Sequence, residues 1–462
     1  STKNVGSVSA THTVLGSNAV TEMDWVGTVA MADQDRPLSI NTTFVVLVDA
    51  LRPRDTRLLV TAGGTVALVN RVTDTAEIVA SGTDGLSSSA PRVFSTEYYP
   101  NLYYADGEST KFYKPATGFL VNWQTEVTAS SSSLLPVDSN GNRHTLIASS
   151  GARLVLAGVA GDPGNWFMSA LNDPLDFDYS PATTSATQAV AGNASDAGEM
   201  QDVITCLMPW ERDYLVIGMD HTMAQLTGNP AAGGRFDNLS DVTGVAWGRP
   251  FAQHPDKSLW FIGSRGGLYR LGVGARDPER ITATTIDERL SDVNMSETIV
   301  EMEWDDRMQG FLIIFTPLDQ TSAATHYFFD TRNTAWFPWV FATAYQNPKC
   351  LHQMDGDDPD DRVTLLGSWD GYLRSVEYDS DDDDGVAIDS YVTIGPLQSE
   401  EMVPILLTGL GAVLDDASAY VTFSVHQGDS AEEALAAPAV YSGVFGPGKN
   451  RLSRRRVAGH AI

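Results

Sequence analysis

The chain has 462 residues, of which 42% are hydrophobic, and carries 59 acids against 30 bases for a net charge of -29. That balance argues against sequence-independent binding to DNA or to an anionic membrane, because little cationic surface is left to release counterions. No run approaches the roughly 18 apolar residues that span a bilayer, and the opening STKNVGSVSATHTVLGSN lacks the basic and apolar blocks of a signal peptide. A soluble, unexported chain without membrane contact is expected.

The acids are mostly Asp, and Lys occurs only at positions 3, 111, 114, 257, 349 and 449. A surface crowded with short carboxylates repels itself in dilute buffer and is tolerated where salt screens it over a few Å. A halophilic host is therefore expected. Cys206 and Cys350 lie far apart and match no zinc spacing, so two buried free thiols are predicted.

In chain order, residues 1–44 are rich in small polar residues and contain no clear hairpin, which suits an arm or ring-closing segment. Seven pairs of apolar runs follow, each pair split by a turn of Gly or Asp character: 57–70, 101–115, 153–171, 213–228, 258–272, 310–341 and 363–379. They recur about every 50 residues, the period of four-stranded sheets in a radial array. A twisted hairpin cannot bury both of its faces alone, whereas sheets stacked around an axis cover one another. The fold expected is all-β: a β-propeller of about seven blades over 45–379. Two successive sandwiches would give similar strands without the regular pairing. DSDDDDG (379–385) reads as a linker, and 380–462 as a small carboxyl-terminal β-sandwich ending in the basic run RLSRRR (451–456).

No stretch carries a convincing catalytic, cofactor or metal signature. The acidic loops 355–362 and 379–385 miss the calcium-loop spacing. GLGAV (409–413) and GVGAR (272–276) lack the strand–loop–helix context of a phosphate loop. The eight His are dispersed, and no nucleophile elbow occurs. WFPWVF (336–341) could line a sugar groove but is more simply a blade strand.

GDPGNWFMSALNDPLDF (161–177), the LTGNP strand end (226–230) and GGLYRL (266–271) together resemble the β-propeller proteins of tailed-virus tail machines. The residues that carry the likeness are Gly161, Asp162, Pro163, Trp166, Phe167, Ser169, Asp173, Pro174, Asp176 and Phe177, then Asp213, Tyr214, Leu226, Thr227, Gly228 and Pro230, then Gly266, Leu268, Tyr269 and Leu271. The resemblance implies a non-enzymatic virion structural protein without cofactor, a tail nozzle, hub or head-to-tail part. Its partners would be further copies of itself in a ring and other tail or neck proteins, with DNA passing through unbound. In that reading Asp-Pro-Gly and Asn-Asp-Pro set two tight turns, and Trp166 and Phe167 are blade core. A receptor- or glycan-binding propeller on the tail or capsid surface is the alternative, and a depolymerase with a carboxylate pair in a cleft a third. Dialysis from molar salt into dilute buffer should unfold the protein, read as loss of its far-ultraviolet dichroism; retention of full signal would overturn the halophilic expectation.

Overall fold

The computed structural model describes the chain from 56 to 451 apart from 71–74, 127–134, 181–183, 212–213, 284–285, 320–321, 323, 356–361, 378–381, 388–390, 395–396 and 398–404, together with strands Thr2–Ser7, Glu22–Asp24, Thr43–Val48 and Val457–Gly459. Asp213, most of the 1–44 arm, most of the 355–362 loop, the start of the 379–385 run and residues 452–456 thus lie outside the described residues. The chain divides into two compact units, 1–388 and 389–462.

The first unit contains seven sheets of four or five strands, antiparallel apart from one short parallel pair, Gly248–Arg249 with Val300–Glu301. Six of the predicted hairpins are interior pairs of these sheets, and 310–341 spans Gly310–Pro317, His326–Asp330 and the outer strand Ala335–Trp339 of blade 6. In blade 3, for example, Arg153–Val159 and Asp162–Met168 lie between Leu146–Ser150 and the short Val190–Ala191. Middle strands are paired on both edges and packed on both faces, so they read as unbroken apolar runs such as Leu215-Val216-Ile217, all buried. Blade 1 takes Glu22–Asp24 as its outermost strand, and Thr2–Ser7 pairs with Tyr372–Val376 to complete blade 7.

The inner strands run as a closed cycle. Thr43–Val48 abuts Phe94–Tyr98, which abuts Leu146–Ser150, which abuts Ile204–Trp210. On the other side Phe251–Gln253 abuts Thr298–Asp305, which abuts Pro348–Asp355, which returns to Thr43–Val48. Seven apolar clusters fill the gaps, one for each neighbouring pair of blades. The cluster between blades 7 and 1, with Leu58, Val60 and Val69 against Cys350, Met354 and Leu365, is built like the others. The first unit is a seven-bladed β-propeller.

In the second unit the described strands form three antiparallel pairs: Ile405–Leu407 with Val457–Gly459, Gly411–Leu414 with Gly448–Arg451, and Val421–Val425 with Tyr441–Phe445. The acidic run read as a linker is partly built into the first unit. Asp382–Asp383 pairs with Val386–Ala387, and Asp384 Oδ2 accepts from Arg374 Nε at 2.6 Å. The reason is that the Arg374 side chain is only 3% exposed and needs carboxylates around it, the other being Asp370.

Two buried histidines sit at blade junctions with opposite bonding. His326 accepts the Phe315 N–H at Nδ1 (3.1 Å), and its Nε2 lies 3.1 Å from Asn347 Oδ1, so the neutral ring serves as acceptor and donor. His144 packs edge-on against Trp123, and neither ring nitrogen has a partner. Burial lowers both folded pKa values to about 4. Unfolded imidazoles take up protons from about pH 6.5 downward. The unfolded chain therefore holds more protons between about pH 6.5 and 4, and stability that is full above this window falls as pH drops through it. In melts from pH 8 to 4 in molar salt, His144→Phe should keep or raise the melting temperature and flatten the fall, because it removes an unsatisfied group. His326→Phe should lower the melting temperature throughout by stranding the Phe315 N–H.

Candidate functional site

Polar residues collect at the axis, where the inner strands converge. Thr298–Asp305, sequence TIVEMEWD, alternates apolar and acidic residues from Val300 onward. Val300 and Met302 enter the cluster between blades 5 and 6, which sends Glu301, Glu303 and Asp305 to the opposite face. Opposite them stand Arg92, just before blade 2, and Arg249. Arg249 is delivered by the two-residue strand Gly248–Arg249, which runs parallel to Val300–Glu301. Only glycine fits at 248, where φ is +125° and a Cβ would stand 2.7 Å from the Val300 carbonyl oxygen.

Arg92 forms an ion pair with Glu301, and Arg249 Nη2 lies 3.0 Å from Glu303 Oε2. The second Glu301 oxygen accepts the Leu351 N–H at 2.5 Å, and Thr364 Oγ1 donates to Asp305 Oδ2 at 2.8 Å. The acids of blade 6 thus tie it to blade 7 and, through Arg92, to the entry of blade 2. Arg92 also lies over the Phe94 ring at 4.6 Å. Between these groups is a cavity of about 370 Å³ lined by Arg92, Glu97, Arg249, Phe251, Glu301 and His352 among others.

Burial governs the electrostatics here. Desolvation lowers the Arg92 guanidinium to about 9 and His352 to about 3, with Arg249 adding to both effects. The Glu303 carboxyl is pushed up by burial against the pull of Arg249. Desolvation raises the Cys350 thiol to about 12, and Cys206 is raised likewise. Both cysteines are buried and free, and both are unreactive in these surroundings. Arg92 Nη1 and both His352 nitrogens are buried without a hydrogen-bond partner. The cavity therefore offers donors and an acceptor to whatever fills it, with paired charges around them. Among the described residues no group of three or more ligating side chains is placed to hold a metal ion.

The motif residues lie elsewhere, at the junction of blades 3 and 4 and in blade 5. The tight turn before blade 3's second middle strand is Ala160–Gly161, two residues ahead of the Asp-Pro-Gly turn (162–164) expected from sequence. Asp162 and Pro163 instead open the strand Asp162–Met168, whose residues 163–165 bulge opposite Gly158 alone, so Pro163's missing N–H is tolerated. Asp162 Oδ2 accepts from Asn165 (2.8 Å). Trp166 is fully buried and donates its indole N–H to the Gly198 carbonyl at 3.0 Å; Phe167 packs in the cluster of blades 2 and 3.

The second turn, Asp173-Pro174-Leu175-Asp176, uses its acids as local acceptors. Asp173 takes the Leu175 N–H, Asp176 the Asp178 N–H and Asp178 the Ser180 N–H, at 3.1, 2.9 and 3.0 Å. Gly228 has φ +82°, and Pro230 starts a short helical turn capped by Asn229, whose Oδ1 accepts the Ala231 N–H. Gly266 turns with φ +80°, Leu268 is fully buried, and Tyr269 stacks on Phe261 at 5.4 Å. WFPWVF lies mostly on blade 6's outer strand, with Trp336 against Phe329 at 4.6 Å and Phe337 half exposed.

Two of the motif stretches are joined by Arg153, a residue outside both. Its buried guanidinium donates to the carbonyls of Ser169 (2.6 Å), Gln188 (2.7 Å) and Ala186 (3.1 Å) and to Asn229 Oδ1 (3.3 Å). The sequence signal was an isolated Arg directly before the apolar run LVLAG.

No family model matches this chain, and no curated protein does. Among solved structures it is similar to the extracellular domain of a one-component system of B. thetaiotaomicron, at 10% identity and TM-score 0.48 over 84% of this chain and 44% of that one. It is also similar to PorZ, a surface component of the type-IX secretion system of Porphyromonas gingivalis, at 13% identity and TM-score 0.43 over 78% of this chain and 40% of that one. YCF48 bound to D1 peptide matches at 11% identity and TM-score 0.44, over 80% of this chain and all of the other. The chain spans under half the length of the first two. These likenesses are of fold alone.

Replacing Arg153 by Met should destabilise the propeller by about 3 kcal/mol, because three buried carbonyls lose their donor. Lys should recover little, since one ammonium cannot reproduce the fork. Denaturant midpoints in molar salt read both; a wild-type midpoint for Arg153→Met would contradict the role given to this residue.

Proposed function

We propose that this chain is a structural component of the tail machinery of a tailed virus, a nozzle or hub part that assembles as a ring of copies around the DNA path. The observation that carries the reading is the use made of the three motif stretches that resemble such proteins. Gly161, Pro174, Gly228, Pro230 and Gly266 set turns, acids such as Asp173 and Asp176 hold them, the aromatics pack between blades, and Arg153 binds two of the stretches together. These residues make a rigid block, and the arrangement suits a part under mechanical load more than one that turns over a substrate.

Two further features support it. The propeller's own axis is crossed by Arg92–Glu301, and its cavity of about 370 Å³ has room for only about a dozen waters at about 30 Å³ each. A DNA path would therefore run between copies. An excess of 29 acids would make the wall of that path repel phosphate, letting the duplex slide.

A surface-binding propeller is the second reading, favoured by the unpartnered Arg92 and His352 nitrogens in the axial cavity. Images of the purified protein in molar salt should show closed rings with a lumen wide enough for a duplex, and antibody labelling should mark one end of the virus particle. Monomers at all concentrations, together with saturable glycan binding, would overturn the ring in favour of the second reading.

A further inference from the structure

The second unit is short of partners for its own strands. Each of its described strands pairs with one neighbour only, so among the described residues both edges of every pair are open. Two-stranded ribbons are marginal in water and need a third strand or a covering face. Among the described residues this unit also holds ten of the twenty-two large apolar side chains left exposed, though it is 74 of 462 residues. Its buried apolar residues are only Val425, Ala434, Phe445 and Val457.

The most exposed of these side chains are consecutive or nearly so. Tyr391, Val392 and Ile394 are 82%, 85% and 84% exposed, and with Thr393 they form a run of strong strand formers that pairs with no strand. The pair Val421–Val425 with Tyr441–Phe445 is the best acceptor. One face is already consolidated by Phe423 stacked on Phe445 at 4.4 Å, while Tyr420 and Val421 stand exposed at the free edge.

We infer that residues 391–394 of one copy add as an edge strand to Val421–Val425 of a second copy of this chain. Each copy would then carry both halves of a head-to-tail contact, the kind that closes into a ring when the rotation permits. Charge favours a second copy as the occupant. The run 449–456 contributes five of the 30 bases, whereas residues 1–388 hold 51 acids against 25 bases, so a neighbouring copy is an acidic partner for a basic run. This inference rests on the ring reading above and names the contact that makes it.

The test uses the full chain with Val392→Asp and Ile394→Asp, two exposed positions whose change should leave the melting temperature alone. Mass measurement by light scattering in molar salt should show a multimer for the wild type and at least a tenfold rise in the concentration needed to assemble the variant. A wild-type ring that the variant forms equally well overturns this contact and leaves the ring reading standing. A wild type that stays monomeric overturns both. As a second measurement, Val392→Cys protein mixed with Thr422→Cys protein should form a disulfide between copies on mild oxidation. No such bond, or one formed only with a different protein present, overturns strand addition between copies.

Discussion

Everything in the larger unit depends on one constraint: a blade that is apolar on both faces has no stable exposed side. Seven clusters bury those faces, and none is expendable, because an unclosed ring would leave the Leu58, Val60 side of blade 1 and the Cys350, Leu365 side of blade 7 in water. At about 25 cal/mol per Å² of apolar area, a few hundred Å² there would cost several kcal/mol, comparable with the whole stability of a domain. Closure is therefore a condition of folding. Thr2–Ser7, which pairs with a strand some 370 positions later in the sequence, is its most distant contribution.

Closure also creates the polar axis. Inner strands that splay outward into blades converge at their inner edges, where apolar side chains from seven strands cannot all pack. The alternation of TIVEMEWD resolves this by giving one face to the blade interface and the other to charge. Once Glu301 is buried, it needs Arg92 and the Leu351 N–H, since a lone buried carboxylate is costly. Arg249 stands to Glu303 in the same relation. The cavity is what remains after these pairs are made, and the orphaned nitrogens of His352 mark where pairing ran out.

What was legible in the sequence follows from burial. The middle pair of each blade is packed on both faces, so its apolar run is continuous and its turn is punctuated by Gly or Asp; all seven appear as hairpins. Inner and outer strands are less apolar and often short: Phe94–Tyr98 reads FSTEY, and Val190–Ala191 and Glu279–Arg280 have two residues each. They carry no period to detect. The turn falls two residues before the expected Asp-Pro-Gly, because a bulge lets Pro163 enter the strand. The axial network was invisible because its members, 92, 249, 301 and 352, are brought together only by closure. Arg153 was missed for a related reason: its four acceptors span residues 169 to 229, and three of them are backbone carbonyls that no side-chain motif encodes.

The two units solve the problem of exposed β structure in different ways, and the difference bears on function. The propeller closes on itself, stacking each blade on its neighbours and crossing its axis with ion pairs. The ribbon unit leaves edges open and apolar side chains outside, in a chain whose charge otherwise keeps copies apart. Natural proteins blunt such edges unless something covers them. In the ring proposed above, the rigid body would set shape and the open strands would set neighbours.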